Sequence, residues 1–155
     1  ITSLVSQLQN KPPATPSGQI ISFQIGDDFS WDPNHLCIFY DPQANNGPQL
    51  LLHELGHALL GHNGYKRDIE LISMERSAWN KALELSSEYE VQIPMDLIEE
   101  HLDTYRDWLH SRSLCPNCSF TGLQTGRSVY CCPSCQASWR VNQARACGLK
   151  RHLTK

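Results

Sequence analysis

Two groups of residues in this 155-residue chain have the types and spacing that metal chemistry requires. The first is the run His53-Glu54-Leu55-Gly56-His57, with two imidazoles four residues apart. On a helix that spacing puts both rings on one face, about one turn apart. Their nitrogens can then share a single zinc ion at about 2.0–2.1 Å. Glu54 lies next to that face, as a base that takes a proton from attacking water and returns it to a leaving amine. The metal lowers the pKa of the water and polarises the scissile carbonyl, so the expected chemistry is hydrolysis of a peptide bond. The plainer reading, two histidines and a glutamate brought together by composition, is weakened by context. The run sits in an apolar helical segment preceded by strand signals, and a suitably spaced acid follows it.

The second group is Cys115-Pro116-Asn117-Cys118 with Cys132-Pro133-Ser134-Cys135, two C-x-x-C pairs separated by thirteen residues. Two tight turns presenting thiolates toward each other make a tetrahedral four-cysteine zinc site. Gly122 and Gly126 fall between the pairs, strand-like residues 128–130 follow, and residues 137–141 read as a second strand, the pattern of a zinc ribbon. A redox role for the pairs would need a thioredoxin-like βαβ context, which is absent. Cys131 competes with Cys132 as a ligand, and the regular spacing favours Cys132. Cys37 and Cys147 read as plain buried thiols.

A catalytic zinc takes a third protein ligand and keeps one open position. His62, Asp68, Glu70 and Glu75 compete for that role. His62 follows His57 by five residues, where the metzincin pattern wants six and a glycine at position 60, which is Leu. The SprT-type pattern wants His at position 61, which is Gly. His62 therefore reads as a residue at a helix C-terminus, favoured there by the helix dipole, and its removal is expected to cost little. Nothing marks out Asp68 or Glu70. Glu75 is the best choice, eighteen residues after His57 on the following helix, which is the gluzincin arrangement. Ala78, one turn later, is small enough to let the two helices approach.

The segments His53-Glu54-Leu55-Gly56-His57-Ala58-Leu59-Leu60-Gly61-His62, Glu75-Arg76-Ser77-Ala78-Trp79 and Ile93-Pro94 together resemble the ImmA/IrrE group of metallo-endopeptidases over roughly residues 36–94. The resemblance implies His53, His57 and Glu75 as zinc ligands and Glu54 as the catalytic acid-base. It also implies a substrate among transcriptional repressors or regulators. Residues 80–84 (Asn80-Lys81-Ala82-Leu83-Glu84) differ from the family's usual Asn-x-Phe-Ala run, and a cysteine-rich tail stands where members carry a helix-turn-helix.

The elements that must position these groups are also readable. Residues 1–10 suit a short helix ended by Pro12, Pro13 and Pro16. Alternation at Ile21, Phe23 and Ile25 predicts a strand over 20–25, and residues 36–40 a second. The turn formers between them predict a hairpin with a long loop. Pro48 opens the helix of the His-Glu run, and Gly61 or Gly64 ends it. A helix over 68–89 follows, then a third, with Asp96 and Glu99 placed to form a capping box.

The charge is as divided as the motifs. All sixteen acids and six of the thirteen Lys and Arg precede residue 112, a balance of −10 against +7 in the remainder. Such asymmetry suggests two modules with different surfaces. The expected fold class is α+β. Residues 1–110 would form a minimal zincin-like catalytic domain, a small β-sheet with the HExxH helix and the helices after it. Residues 111–155 would form the four-cysteine ribbon, held folded by its metal because so short a segment buries little core. Two zinc ions per chain are expected, one catalytic and one structural. Phe120, Tyr130 and Trp139 interleave with Arg127 and Arg140, a composition suited to single-stranded nucleic acid or to an acidic partner; packing the small ribbon is the plainer use of those rings. No apolar run reaches the length that spans a bilayer, and no secretory leader is visible. An odd cysteine count with C-x-x-C pairs fits a reducing compartment, so a cytoplasmic protein is expected. The expected function is a zinc-dependent endopeptidase acting on a cytoplasmic, regulatory protein. The alternative is a non-catalytic zinc-ribbon adaptor or nucleic-acid-associated protein with a peptidase-like domain.

Overall fold

A computed structural model describes residues 1–145 and 148–154; Cys147, expected to be a buried thiol, lies outside them. The fold is mixed α+β. In chain order it runs α1 (Thr2–Asn10), β1 (Ser22–Ile25), β2 (Ser30–Asp32), β3 (Cys37–Tyr40), α2 (Gly47–Leu59), α3 (Asp68–Ser86), α4 (Met95–Ser113), β4 (Leu123–Gly126), β5 (Val129–Cys131), β6 (Ser138–Val141) and β7 (Arg151–Thr154). Contacts divide the chain into two compact units, residues 1–64 with 73–98 and residues 65–72 with 99–155. Helix α4 carries the chain through residues 110 and 111 without a break.

In the first unit a three-stranded sheet has the order β1-β3-β2. The expected hairpin between residues 20–25 and 36–40 does not form, because β1 and β3 run parallel, Ser22 opposite Cys37 through Ile25 opposite Tyr40. The segment between them, rich in turn formers, contains a strand of its own. Trp31 pairs with Ile38 in the antiparallel β2–β3 ladder. The hairpin therefore lies one strand later, around a turn in which the Asp32 carboxylate accepts the N–H groups of Asn34 and His35. Side-chain acceptance of this kind is why Asp begins turns so often.

Helix α2 buries Leu51, Leu52, Leu55 and Ala58 on one side, spaced i, i+1, i+4 and i+7 as on a core-facing helix. Leu4, Val5 and Leu8 of α1, Ile21, Cys37, Ile38, Ala78, Trp79, Ala82 and Ile98 complete the buried hydrophobic set of this unit among the described residues. Gly56 matters here. A Cβ on it would lie 2.5 Å from the Ala78 carbonyl oxygen, so a side chain is excluded where α2 meets the 73–86 part of α3. The expected small residue, Ala78, is indeed at this close approach, and Gly56 is its partner.

The second unit is built on an antiparallel sheet, β4-β5-β6-β7. Its small core holds Cys115, Tyr130, Cys132, Trp139 and Val141. A Cβ at Gly122 would run into the Trp139 ring, so the glycine leaves room for that indole. Trp139 donates its indole N–H to the Arg112 carbonyl at 3.0 Å, and the Tyr130 hydroxyl donates to Asp68. Arg112, 1% exposed, lies 3.8 Å from the Asp68 carboxylate and stacks over Trp108 at 4.3 Å. A buried guanidinium needs such a partner, since an isolated buried charge is strongly disfavoured. One of the seven basic residues of the tail is thus a structural part of the unit's interior. Among the described residues no helix is long and apolar enough to cross a membrane.

Candidate metal centres

Helix α2 turns His53 and His57 to its buried side, and α3 presents Glu75 to the same point. The three residues are 0%, 9% and 4% exposed. His53 Nε2 lies 3.1 Å from Glu75 Oε2 and 3.2 Å from His57 Nε2. His57 Nε2 lies 3.5 Å from the same carboxylate oxygen. Three donors bound to one ion at about 2.1 Å with tetrahedral angles lie about 3.4 Å apart, so this triangle has the edge lengths of a tetrahedral face. Two imidazoles and a carboxylate suit zinc and other divalent transition metals. His53 is held from behind by Trp79, stacked with ring centroids 4.3 Å apart.

The electrostatics of the cluster follow from its burial. Desolvation opposes the charged form of Glu75, yet hydrogen bonds from His53 and His57 and their charges hold its carboxyl well below the usual carboxylate range. Burial lowers His53. His57 is raised, because the Glu75 hydrogen bond and the charges of Glu54 and Glu75 outweigh its burial. Glu54 is different in kind. It stands beside the triangle, its pKa pushed up to about 7, chiefly by burial. Its Oε2 accepts the Trp31 backbone N–H at 2.8 Å, so the edge of β2 fixes where the carboxylate points.

The other acids weighed for the third ligand are engaged elsewhere. Asp68 serves Tyr130, Gln124 and Arg112. Glu70 accepts the backbone N–H groups of Lys66 and Arg67, which lower its pKa. Of the four candidates only Glu75 reaches both imidazoles.

His62 is not the bystander its spacing suggests. Its Nδ1 lies 2.9 Å from His57 Nδ1, its carbonyl accepts the Trp31 indole N–H at 2.9 Å, and burial and the neighbouring His57 lower its pKa to about 4. Trp31 and His62 are two residues of this unit that sequence reasoning did not place beside the site. Gly61 was a usable signal for His62, since a glycine ending a helix turns the next residue back over the last turn.

In the ribbon, the Sγ atoms of Cys115, Cys118, Cys132 and Cys135 all lie within 4.8 Å of one another. The shorter separations, 3.5–3.6 Å, are close to the about 3.8 Å edge of a tetrahedron with 2.3 Å Zn–S bonds. The two knuckles are local copies of each other. Cys115 N–H bonds to the Phe120 carbonyl and Ser119 N–H to the Cys115 carbonyl, with Ser119 at φ 60°. Cys132 N–H bonds to the Ala137 carbonyl and Gln136 N–H to the Cys132 carbonyl, with Gln136 at φ 61°. Cys131 points its thiol to the Cys132 carbonyl instead of the cluster. Tyr130 and Trp139 are buried inside the ribbon, so of the three interleaved aromatics only Phe120 is exposed.

Compared with family models, curated proteins and solved structures, the chain matches none of them. What the two clusters can do is therefore read from their own geometry.

Proposed function

We propose that this chain is a zinc-dependent metallo-endopeptidase of the ImmA/IrrE-like kind, acting on a cytoplasmic protein, with a second, structural zinc in its ribbon. The observation that carries the reading is the convergence of His53 Nε2, His57 Nε2 and Glu75 Oε2, with Glu54 on the same helix as both imidazoles. A zinc ion held there supplies Lewis acidity, which makes water a competent nucleophile near neutral pH. Glu54 takes the proton of the attacking water and delivers it to the departing amine. Burial pushes the Glu54 carboxyl up before any metal is bound, which favours its neutral form and so the transient uptake of the proton. The Trp31 N–H keeps the carboxylate in place through the exchange.

The test is direct. Full-length protein loaded with zinc is incubated with unfolded protein and a peptide library, and new internal termini are read by mass spectrometry. Internal cuts by the wild type that vanish in Glu54→Gln support the proposal. A fully loaded protein that cuts nothing, or a Glu54→Gln variant that cuts equally well, would make the domain a binding module.

A further inference from the structure

Helix α2 ends in a way that folds His62 back onto it. Gly61, at φ +68°, takes the left-handed conformation. Its N–H bonds to the Ala58 carbonyl at 3.1 Å, and the His62 N–H bonds to the His57 carbonyl at 3.0 Å. These two bonds make a Schellman ending, and they bring the His62 ring against that of His57, 4.9 Å between centroids at 70°. From His62 a hydrogen-bonded chain continues: Nε2 lies 3.4 Å from Ser77 Oγ, and Ser77 Oγ donates to the Met74 carbonyl at 2.9 Å.

The direction of every proton in this chain follows from its last link. A carbonyl only accepts, so the single hydroxyl hydrogen of Ser77 is committed to Met74. Toward His62, Ser77 can then only accept, which places the hydrogen of neutral His62 on Nε2. His62 Nδ1 is left as an acceptor, so the partner atom, His57 Nδ1, must be the donor. Neutral His57 consequently carries its hydrogen on Nδ1, and once the proton that Nε2 shares with Glu75 is given up it presents a bare Nε2 lone pair to a metal.

We infer that His62 is a positioning residue that fixes the tautomer and orientation of His57 for metal binding, through a relay anchored at Ser77 and the Met74 carbonyl. The inference rests on the proposed ligand set of His53, His57 and Glu75. Metal-bound histidines commonly donate their distal N–H to a carboxylate, a carbonyl or water, and loss of such a partner costs about 10- to 100-fold in metal affinity. Here a second imidazole takes that role. The Trp31 indole N–H on the His62 carbonyl fixes its backbone, and the Trp31 main-chain N–H meets Glu54, so one residue braces both the base and the relay.

The experiment measures zinc affinity by chelator competition on full-length protein, with the ribbon zinc as internal reference, in wild type, His62→Ala, His62→Asn, Ser77→Ala and the exposed control His35→Ala. Nitrogen-15 spectra of histidine-labelled protein report the His57 tautomer. The expected result is a 10- to 100-fold loss in His62→Ala, substantial recovery in His62→Asn, whose amide oxygen can accept, and no change in His35→Ala. In the spectra His57 should be protonated at Nδ1 in the wild type and mixed in His62→Ala. Should His62→Ala not fold, Ser77→Ala decides the matter through a loosened His57 tautomer with the fold intact. Wild-type affinity in a folded His62→Ala, or a neutral His57 that carries its hydrogen on Nε2 alone in the metal-free wild type, overturns the relay while leaving the ligand set standing. A wild type that takes only the ribbon zinc overturns the ligand set and the relay with it.

Discussion

The ribbon cluster and the His-Glu cluster each gather donors into a small triangle or tetrahedron, but their surroundings are opposite. Around the four thiols the core consists of Cys115, Tyr130, Cys132, Trp139 and Val141, and two of those five belong to the candidate ligand set. The unit that holds His53, His57 and Glu75 also buries Leu51, Leu52, Leu55, Ala58, Ala78 and Trp79, none of which can ligate a metal. On the proposed reading, a metal in the ribbon would replace a hydrophobic core that a short segment cannot build. In the helical unit the core is already present and would place the metal. One ion would be a part of the fold and the other a part of the proposed chemistry. That contrast can be broken experimentally in four places.

The largest effect is expected from the ribbon metal. Zinc contributes on the order of 10–16 kcal/mol to the folding of zinc-finger peptides, far more than three non-ligand side chains can supply. Chelation, or Cys132→Ser, should abolish amide protection across β4, β5 and β6 while α2 stays protected in hydrogen exchange. Equal loss in α2 would mean that the two units share one stability and would erase the contrast.

Next in size is Glu75→Ala. Two imidazoles alone leave an ion under-coordinated, so zinc per chain should fall from two to one. The ribbon zinc should remain and the helical content should be unchanged, because alanine favours the helix of α3. Loss of both ions, or of neither, would contradict separate sites. Third is Glu54→Gln, expected to lower turnover about 10²- to 10⁴-fold while both ions stay bound. The amide keeps the size of the carboxylate and can still accept the Trp31 N–H, but it cannot take a proton from water.

These predictions also separate what was legible in the sequence from what was not. The His-Glu run, its apolar helix, the glycine that ends it and the two cysteine knuckles are local patterns, and each stands where its spacing puts it. What could not be read depends on partners distant in the chain. Residues 30–32 carry turn formers on both sides, yet they become β2 because Trp31 pairs with Ile38 and its N–H finds Glu54. The parallel pairing of β1 with β3 has no local signature either, since nothing in either strand encodes direction. Residues 151–154 are exposed throughout and join the sheet only through β6, so no burial pattern announced them. His62 would be separated from His57 by its spacing along a helix. It reaches His57 because the helix has already ended.

The smallest effect, and the one most specific to the helical unit, is expected from Gly56→Ala. Alanine favours a helix over glycine by about 0.8–1.0 kcal/mol, which would stabilise α2 if nothing stood in the way. The new Cβ, however, would sit 2.5 Å from the Ala78 carbonyl oxygen, and that atom belongs to the backbone of α3 and cannot rotate aside. Overpacking of this kind costs about 1–3 kcal/mol, so the net result is a loss of up to about 2 kcal/mol, read as a modest drop in the unfolding midpoint. The consequence for the metal should exceed the consequence for stability. His53 and His57 ride on α2 and Glu75 on α3, so forcing the two helices apart near Ala78 stretches the edges that Glu75 shares with the imidazoles. Zinc affinity at the His-Glu site should fall while the ribbon retains its ion. A Gly56→Ala variant with a lower midpoint but unchanged zinc affinity would show that the helix contact only stabilises the fold; a raised midpoint would show that α3 moves aside at little cost.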